Sequence, residues 1–310
     1  MNNKKKVFVT GASGKIGRLL VEKLLAGGYE LVLLERRDRS ENRLNGGRTV
    51  KGDILDAATY SSELGGVDTV LHMAAITHTN VPGSYFKVNV EGTRVLMGEA
   101  LKAGVKRVIY VSTRAASPNG GGYSVSKLEA EGIVQESGME WVILRPAEVY
   151  GASGKEGIDM LLNKLSSFPI IPVIGDGRYR VAPVHVSDVV SSVVTVLGDT
   201  SISGKIYTIA GPEAFTYNEL IDRVLRIKGI KRPRVHIPVW IFRMAARILL
   251  SLQRGGGIAM DQLPRLLCSK EEDISPAKRD FSFCPRSMDE VFFGMSADRD
   301  GKGHSENDRA

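Results

Sequence analysis

A glycine-rich turn between a short apolar run and a helical pattern most constrains what this chain can fold into. Val7–Thr10 is typical of a buried strand, and the apolar residues after the turn recur at helical spacing. Gly11 permits the positive φ of a tight turn, Gly14 lets the backbone approach a ligand, and Gly17 lets the helix pack closely on the strand. This order predicts a helix N-terminus that binds the pyrophosphate of a dinucleotide.

The first half of the chain alternates short β-branched runs with longer helical patterns. Apolar runs at 31–34, 67–73, 105–112 and 141–144 are separated by segments long enough for crossover helices. Because parallel strands need such crossovers, the alternation predicts an α/β fold with a doubly wound parallel sheet of the Rossmann type.

After Gly151 the pattern becomes irregular, and we expect the chain to leave the sheet, return to it and leave again. The predicted parts are a dinucleotide-binding Rossmann domain (1–152, with a return at about 181–212), a smaller substrate-binding region (153–180 and 213–294) and a disordered tail (295–310).

Composition excludes several classes of protein. The 310 residues carry 42 Lys and Arg against 35 Asp and Glu, a net charge of +7. Beyond three lysines at 4–6, we take the basic residues to be dispersed among acidic ones, so no nucleic-acid partner is expected. Cys268 and Cys284 are too few for a disulfide framework and fit a reducing cytoplasm.

Tyr123 and Lys127 form a Tyr-x-x-x-Lys pattern at the start of a predicted helix. The four-residue spacing puts the phenol and the ammonium group on one helix face. Because a nearby cation stabilises the phenolate and lowers the pKa of the tyrosine, such a pair suits general acid–base catalysis.

Several motifs resemble those of one superfamily. The turn Thr10-Gly-Ala-Ser-Gly-Lys-Ile-Gly17 resembles the TGxxGxxG pattern of short-chain dehydrogenases/reductases. Four further motifs of this chain resemble those of the extended branch, the NAD-dependent epimerase/dehydratase type. They are H-x-A-A (72–75), NVxGT (89–93), RPxxVYG (145–151) and a cleft element (175–188). Other features resemble those of an atypical group related to an accessory subunit of respiratory complex I. They are the short interval from Ser112 to Tyr123 and the sequences at 178–188 and 261–263. The resemblance covers residues 6–293.

The resemblance implies catalytic roles. Tyr123 would be the acid–base, and Lys127 would lower its pKa and hold the nicotinamide ribose. The extended branch places a substrate-orienting hydroxyl at position 114, which is arginine in this chain. Ser112 or Thr113 is therefore expected to replace it, with Ser112 slightly preferred.

The resemblance also implies ligand contacts. The cofactor-binding residues are Gly11, Ser13, Gly14, Lys15, Ile16, Gly17, Glu35, Arg36, Asp53, Ile54, Met73, Ala74, Ala75, Asn89, Tyr123, Lys127 and Pro146. The substrate-binding residues are Thr77, Arg114 and Arg180.

Two signals bear on the cofactor. Glu35 follows the second predicted strand and would accept both ribose hydroxyls of NAD while repelling a 2′-phosphate. Arg36 and Arg37 favour NADP instead. We prefer NAD and keep NADP as the alternative. No metal site is predicted, because His72 and His78 have no acid or cysteine to complete one.

These observations predict an NAD(P)-dependent oxidoreductase or epimerase that transfers hydride at a secondary alcohol or ketone of a small molecule, with a nucleotide-sugar as the preferred substrate. The resemblance implies a homodimer. One alternative, supported by Arg114, is a non-catalytic dinucleotide-binding assembly or regulatory protein. Another is a membrane-associated reductase of an apolar substrate, suggested by the apolar and basic segment Trp240–Leu252. A wall of the substrate pocket is the preferred interpretation of that segment.

Overall fold

The structure is a computed structural model, and it describes residues 5–36, 46–79, 81, 83–151, 157–244, 262–268, 270 and 272–292. Several sequence predictions fall outside the described residues: the tail at 295–310, Arg37, Asp261 and positions 245–252 of the segment Trp240–Leu252.

A seven-stranded sheet forms the centre of the fold. Its strands are β1 (Lys6–Thr10), β2 (Glu30–Glu35), β3 (Arg48–Lys51), β4 (Thr69–His72), β5 (Arg107–Val111), β6 (Glu140–Pro146) and β11 (Lys205–Ile209). They lie in the order β11-β6-β5-β4-β1-β2-β3, and each neighbouring pair is parallel. The predicted α/β fold with a doubly wound parallel sheet is confirmed.

Helices cover both faces of this sheet. The described helices include α1 (Lys15–Ala26), α2 (Gly92–Lys102), α3 (Gly121–Gln135), α4 (Gly157–Lys164), α5 (Val186–Gly198), α6 (Tyr217–Ile227), α7 (Gln262–Leu267) and α8 (Ser275–Phe281). One core cluster holds buried residues of α1 and α5, and the other holds those of α2 and α3. A π-helix, Phe86–Glu91, leads into α2.

The C-terminal half adds short strands outside the main sheet: β7 (Val149–Tyr150), β8 (Ile171–Ile174), β9 (Arg180–Val181), β10 (Val184–His185), β12 (Phe215–Thr216) and β13 (Arg234–Ile237). These strands pair as β10–β7, β12–β9 and β13–β8. A third hydrophobic cluster joins α4 and α6 with β8. A capping box formed by Thr216 and Glu219 opens α6.

The chain returns to the main sheet late. β11 pairs along β6, from Lys205 opposite Val142 to Ile209 opposite Pro146. The structure thus has a re-entry within the predicted range, while the exact domain boundaries stay a prediction.

The strand order reverses at β1, which lies between β2 and β4. Crossovers to opposite sides of this point leave a crevice at the carboxyl ends of the strands, where ligands bind in such sheets. The turns after β1, β4 and β5 therefore meet at one edge. No helix of the described residues has the length and apolarity to cross a membrane.

Candidate active site

The turn after β1 has the close packing expected of a phosphate-binding loop. Gly11 has φ +77°. A Cβ added to Gly17 would lie 2.3 Å from the Gly11 carbonyl oxygen and 2.6 Å from that of Ala12, so α1 approaches the turn at a distance that glycine allows.

Gly14 has a different environment. It is the N-cap residue of α1, and an added Cβ would meet the Gly11 oxygen at 3.1 Å. Because Gly14 has no side chain, it leaves the first-turn amides of α1 without a side-chain cap. These amides and the helix dipole form a cradle that fits a pyrophosphate, with the predicted Ser13, Lys15 and Ile16 around it.

The predicted adenosine contacts lie at the ends of β2 and β3. Glu35 is the last residue of β2, half-buried, and its carbonyl accepts a hydrogen bond from Gly52 N at 3.0 Å. Arg36 is exposed. Asp53 Oδ1 accepts a hydrogen bond from Leu55 N at 3.0 Å, so this carboxylate already stabilises its own turn. Ile54 is buried beneath Gly92.

His72 is a buried neutral residue between two threonines. Thr10 Oγ1 accepts from Met73 N and Ala74 N, so its hydroxyl donates to His72 Nδ1 at 2.7 Å. The Thr93 hydroxyl donates to Asn89 O, so His72 Nε2 donates to Thr93 Oγ1 at 2.9 Å. Burial, with Lys127 nearby, lowers the pKa of His72 to about 3.

Asn89 joins the loop after β4 to the helix that carries Tyr123. Its side chain accepts from Ile76 N at 2.8 Å and donates to Ile76 O and to Ser126 Oγ. This bracing fixes the predicted cofactor-lining residues Met73, Ala74 and Ala75 relative to α3. Thr77 follows and is exposed, and its carbonyl lies 3.4 Å from the Tyr85 hydroxyl.

Tyr123 and Lys127 lie in the first two turns of α3, and both are buried. Lys127 Nζ donates to Val111 O at 3.0 Å and lies 4.0 Å from the centre of the Tyr110 ring. Burial lowers the pKa of Lys127 to about 7, against the opposing effect of Glu131. The pKa of Tyr123 is raised by burial, and Arg265 and a hydrogen bond with Thr113 oppose that rise.

The two candidate hydroxyls after β5 have different partners. The Thr113 hydroxyl lies beside the Tyr123 phenol, opposes the rise in its pKa, and accepts a hydrogen bond from Ala115 N at 3.2 Å. Ser112 is buried and donates to Glu131 Oε1, and Glu131 in turn forms an ion pair with Arg145. The slight preference for Ser112 therefore lacks support in this geometry, which favours Thr113 as the hydroxyl beside the phenol.

Arg265 is a site residue that the sequence motifs missed. Its guanidinium carbon lies 4.8 Å from the centre of the Tyr123 ring, within the range of a cation–π interaction. Tyr85 packs against the same ring edge-on, with centroids 5.9 Å apart. Arg265 belongs to α7, which contacts α3 although it is far away in sequence.

The two arginines predicted to bind substrate are held by carboxylates. Buried Arg114 donates to Glu148 Oε2 at 2.6 Å, and Lys270 donates to Glu148 Oε1 at 3.0 Å. These two cations lower the pKa of Glu148 to about 2, against the effect of burial. Arg114 N also donates to the carbonyl of Pro146, a predicted cofactor-binding residue at the end of β6.

Arg180 is more exposed than Arg114. Its Nε lies 2.9 and 3.0 Å from the two carboxylate oxygens of Glu272. A substrate anion would have to compete with Glu272 for this guanidinium group. By contrast, Nε and Nη1 of Arg114 are buried and have no hydrogen-bond partner among the described residues, so Arg114 retains donors for a ligand.

A cleft of about 300 Å³ lies beside α7. Its lining residues are Ser117, Asn119, Arg243, Pro264, Leu267 and Cys268. Of the segment predicted to be a pocket wall, Arg243 lines this cleft, whereas Trp240 and Met244 are mostly exposed to solvent. Among the described residues no group of three His, Cys, Asp or Glu could hold a metal ion.

The fold and this geometry define a class: a Rossmann-type dinucleotide-binding protein with a buried Tyr–Lys pair at the carboxyl edge of its sheet. Residues 7–210 match the NAD dependent epimerase/dehydratase family. The chain belongs to that family, and NAD, the family's cofactor, is confirmed as the predicted cofactor.

Individual relatives are more distant. A 4-hydroxy-2-methyl-3-oxo-4-farnesyl-3,4-dihydroquinoline-1-oxide ketoreductase of Stigmatella aurantiaca is 26% identical over 80% of this chain and 81% of its own length. The mitochondrial NADH-ubiquinone oxidoreductase 40 kDa subunit of Neurospora crassa is 27% identical over 78% of this chain and 65% of its own length.

A solved structure is similar over nearly the whole chain. The dTDP-glucose 4,6-dehydratase of Streptomyces venezuelae, with NAD bound, superimposes with a TM-score of 0.72 and 25% identity. It covers 97% of this chain and 99% of its own. These similarities confirm the resemblance to extended short-chain dehydrogenases/reductases and to the complex I subunit.

Proposed function

We propose that this protein is an NAD-dependent oxidoreductase that acts on a secondary alcohol or ketone, with Tyr123 as the acid–base. The observation that carries the proposal is the buried Tyr123 phenol, which lies beside the Thr113 hydroxyl and under the guanidinium group of Arg265. When bound, NAD supplies the hydride acceptor or, in its reduced form, the hydride donor.

Tyr123 moves the proton. Burial raises its pKa, so the phenol is protonated at neutral pH. It therefore donates its proton to the substrate oxygen when a ketone is reduced, and accepts a proton from the hydroxyl group in the reverse direction. Thr113 orients that oxygen, since its hydroxyl lies beside the phenol.

Lys127 has a positioning role on the buried side of the site. Its ammonium group is buried, bound to Val111 O, and has a pKa near 7, so it can give up or take up a proton close to neutral pH. We assign it the nicotinamide ribose as a ligand, and the cradle at Gly14 the pyrophosphate. Glu35 would hold the adenosine ribose.

For the substrate, a nucleotide-sugar is the first candidate. It is supported by the similarity to the dTDP-glucose 4,6-dehydratase, which extends through the C-terminal region. The free donors of Arg114 would then face a polar group of the sugar. The pairing of Arg180 with Glu272 argues against this candidate.

An apolar ketone is the second candidate, and the cleft beside α7 favours it. Pro264 and Leu267 give this cleft an apolar wall, and α7 also carries Arg265 against Tyr123. The ketoreductase of Stigmatella aurantiaca, whose name specifies a farnesyl-bearing compound, is consistent with this candidate.

The test compares wild type with Tyr123→Phe. The wild-type protein is incubated with NAD or NADH and a panel of nucleotide-sugars and apolar ketones, and NADH absorbance and products are measured. Loss of the general acid–base should lower turnover by about 10²- to 10⁴-fold while NAD affinity is unchanged. A matched Tyr29→Phe variant should retain activity. Unchanged turnover in Tyr123→Phe would refute the assignment, and NAD binding without turnover on either substrate class would favour the non-catalytic alternative.

A further inference from the structure

The positive charge of this chain is concentrated in one segment, contrary to the dispersion assumed above. Between Asp222 and Asp261 the sequence has nine arginines and lysines and no aspartate or glutamate. The rest of the chain has 33 basic and 35 acidic side chains, so this segment accounts for the whole excess. Such a segment attracts polyanions.

The described part of the segment presents most of these cations to solvent. Lys228, Lys231 and Arg232 are exposed, and so is Arg243 in the helical stretch 239–244. Arg234 and Arg223 are half-buried and pair with carboxylates, Arg234 with Asp222 and Arg223 with Glu213 and Asp289, so they contribute less to the outward charge.

Large apolar side chains are exposed among these cations. Trp240 is 65% exposed, Met244 52% and Val235 49%. The strand pairing β13–β8 adds two more exposed apolar side chains. Ile171 N donates to Pro233 O at 2.9 Å, and this bond brings the exposed Phe168 and Ile170 next to β13. A soluble protein rarely leaves an aromatic residue this exposed among other apolar side chains without a partner.

We propose that this surface, residues 231–244 together with Phe168 and Ile170, docks on an anionic membrane. Tryptophan beside arginine and lysine is the combination that inserts at the boundary between lipid headgroups and acyl chains. A nucleic-acid partner would explain the cations but leave exposed aliphatic side chains such as Met244 and Val235 without a role. The docking would be peripheral.

The surface borders the cleft described above. Arg243 belongs to the docking surface and also lines the cleft beside α7. Docking would therefore place the cleft entrance near the lipid headgroups. The proposal does not depend on catalysis, and its test requires no turnover.

The test is co-sedimentation of the full chain with vesicles, using one quarter phosphatidylglycerol in phosphatidylcholine, or phosphatidylcholine alone. Binding is expected with the anionic vesicles, and it should weaken as salt is raised. Each cation near an anionic surface contributes about 1 kcal/mol, so the double variant Lys231→Gln/Arg232→Gln should bind about 30-fold more weakly. Lys278→Gln, an exposed cation on α8, is the matched control and should bind like wild type.

Tryptophan fluorescence provides a second measurement, because the chain has two tryptophans, Trp141 and Trp240. Anionic vesicles should shift the emission to the blue, and Trp240→Phe should abolish the shift while leaving most of the binding. The proposal is overturned by absence of vesicle binding, by equal binding to neutral vesicles, or by equal losses in the Lys278→Gln control. Tight binding of an oligonucleotide without vesicle binding would identify a nucleic-acid partner instead.

Discussion

The guanidinium group of Arg265 covers the ring of Tyr123, with its central carbon 4.8 Å from the ring centre. The two residues belong to α7 and α3, which are 142 positions apart at these residues. Lys127, although on the same helix as Tyr123, directs its ammonium group to Val111 O and the Tyr110 ring. The cation that opposes the raised pKa of the phenol is thus supplied by the C-terminal region.

Replacing Arg265 should move the titration of Tyr123. Arg265→Gln removes the positive charge, so the pKa of Tyr123 should rise further, whereas Arg265→Lys should retain most of the wild-type value. The measurement is ¹³C NMR of ring-labelled tyrosine over a pH series, with Tyr123→Phe to assign the signal. An unchanged Tyr123 titration in Arg265→Gln would show that the contact has no electrostatic effect.

The glycines of the first turn should separate ligand binding from folding. Gly14→Ala places a Cβ 3.1 Å from the Gly11 oxygen, a contact that a small shift relieves, so NAD affinity should fall while the free energy of unfolding changes less than in Gly17→Ala. Gly17→Ala places a Cβ 2.3 Å from the Gly11 oxygen, so it should lower both affinity and stability, the latter by about 1–3 kcal/mol.

Calorimetry with NAD and urea unfolding would measure the two quantities. Gly98→Ala is the matched control, because that helical glycine has open space around an added Cβ. Equal stability losses in Gly14→Ala and Gly17→Ala would contradict the structural distinction.

Thr113 and Ser112 should respond differently to removal of their hydroxyls. Thr113→Val removes the hydroxyl beside the phenol, so turnover should fall by at least tenfold, with a small loss of thermal stability because Ala115 N loses its acceptor. Ser112→Ala leaves Glu131 with Arg145 but without one donor, so it should destabilise the fold by about 1–2 kcal/mol and spare the chemistry. Steady-state kinetics and thermal unfolding of both variants decide between them, and the reverse pattern would restore Ser112 as the substrate-orienting residue.

His72 should make the fold less stable in mild acid. Its pKa is about 3 in the folded state and near 6.5 when unfolded, so the unfolded chain binds the proton more tightly as pH falls below 6.5. Below pH 6.5 the free energy of unfolding therefore falls by about 1.4 kcal/mol per pH unit because of His72, which amounts to about 2 kcal/mol between pH 7 and pH 5. Urea unfolding at pH 7, 6 and 5 should show this loss in wild type and in the exposed-residue control His78→Gln.

His72→Gln removes the titrating group and keeps a polar side chain between the two threonines. Its stability should therefore fall less than that of wild type over the same pH range. If the free energy of unfolding of His72→Gln falls with pH as steeply as that of wild type, other groups cause the acid sensitivity.

The sequence predicts the local arrangement on the nucleotide side of the candidate site but not the long-range contacts on its substrate side. Gly11, Gly14, Tyr123 and Lys127 act through local spacing, four or fewer residues apart, so their relative positions follow from turn and helix geometry. Two contacts on the substrate side depend on how the C-terminal segment packs: Arg180 with Glu272, and Arg265 with Tyr123. Local sequence patterns do not predict such long-range packing.

The alternation of side chains along an extended segment distinguishes the two hydroxyls after β5. Ser112 and Thr113 follow a strand directly, and successive side chains of an extended segment point to opposite sides. The two hydroxyls therefore could not share one environment, and the structure assigns them to Glu131 and Tyr123 respectively.

The late return of β11 beside β6 has a consequence for how the protein is made. During synthesis β6 is complete some 60 residues before β11 is available to cover its edge, and an uncovered strand edge invites pairing with other chains. The nascent chain must pass through this interval, and a fragment ending near residue 152 would stay in it permanently. The nucleotide-binding half therefore does not form a self-contained unit. A chimaera that exchanges this half with a relative would have to include β11 as well.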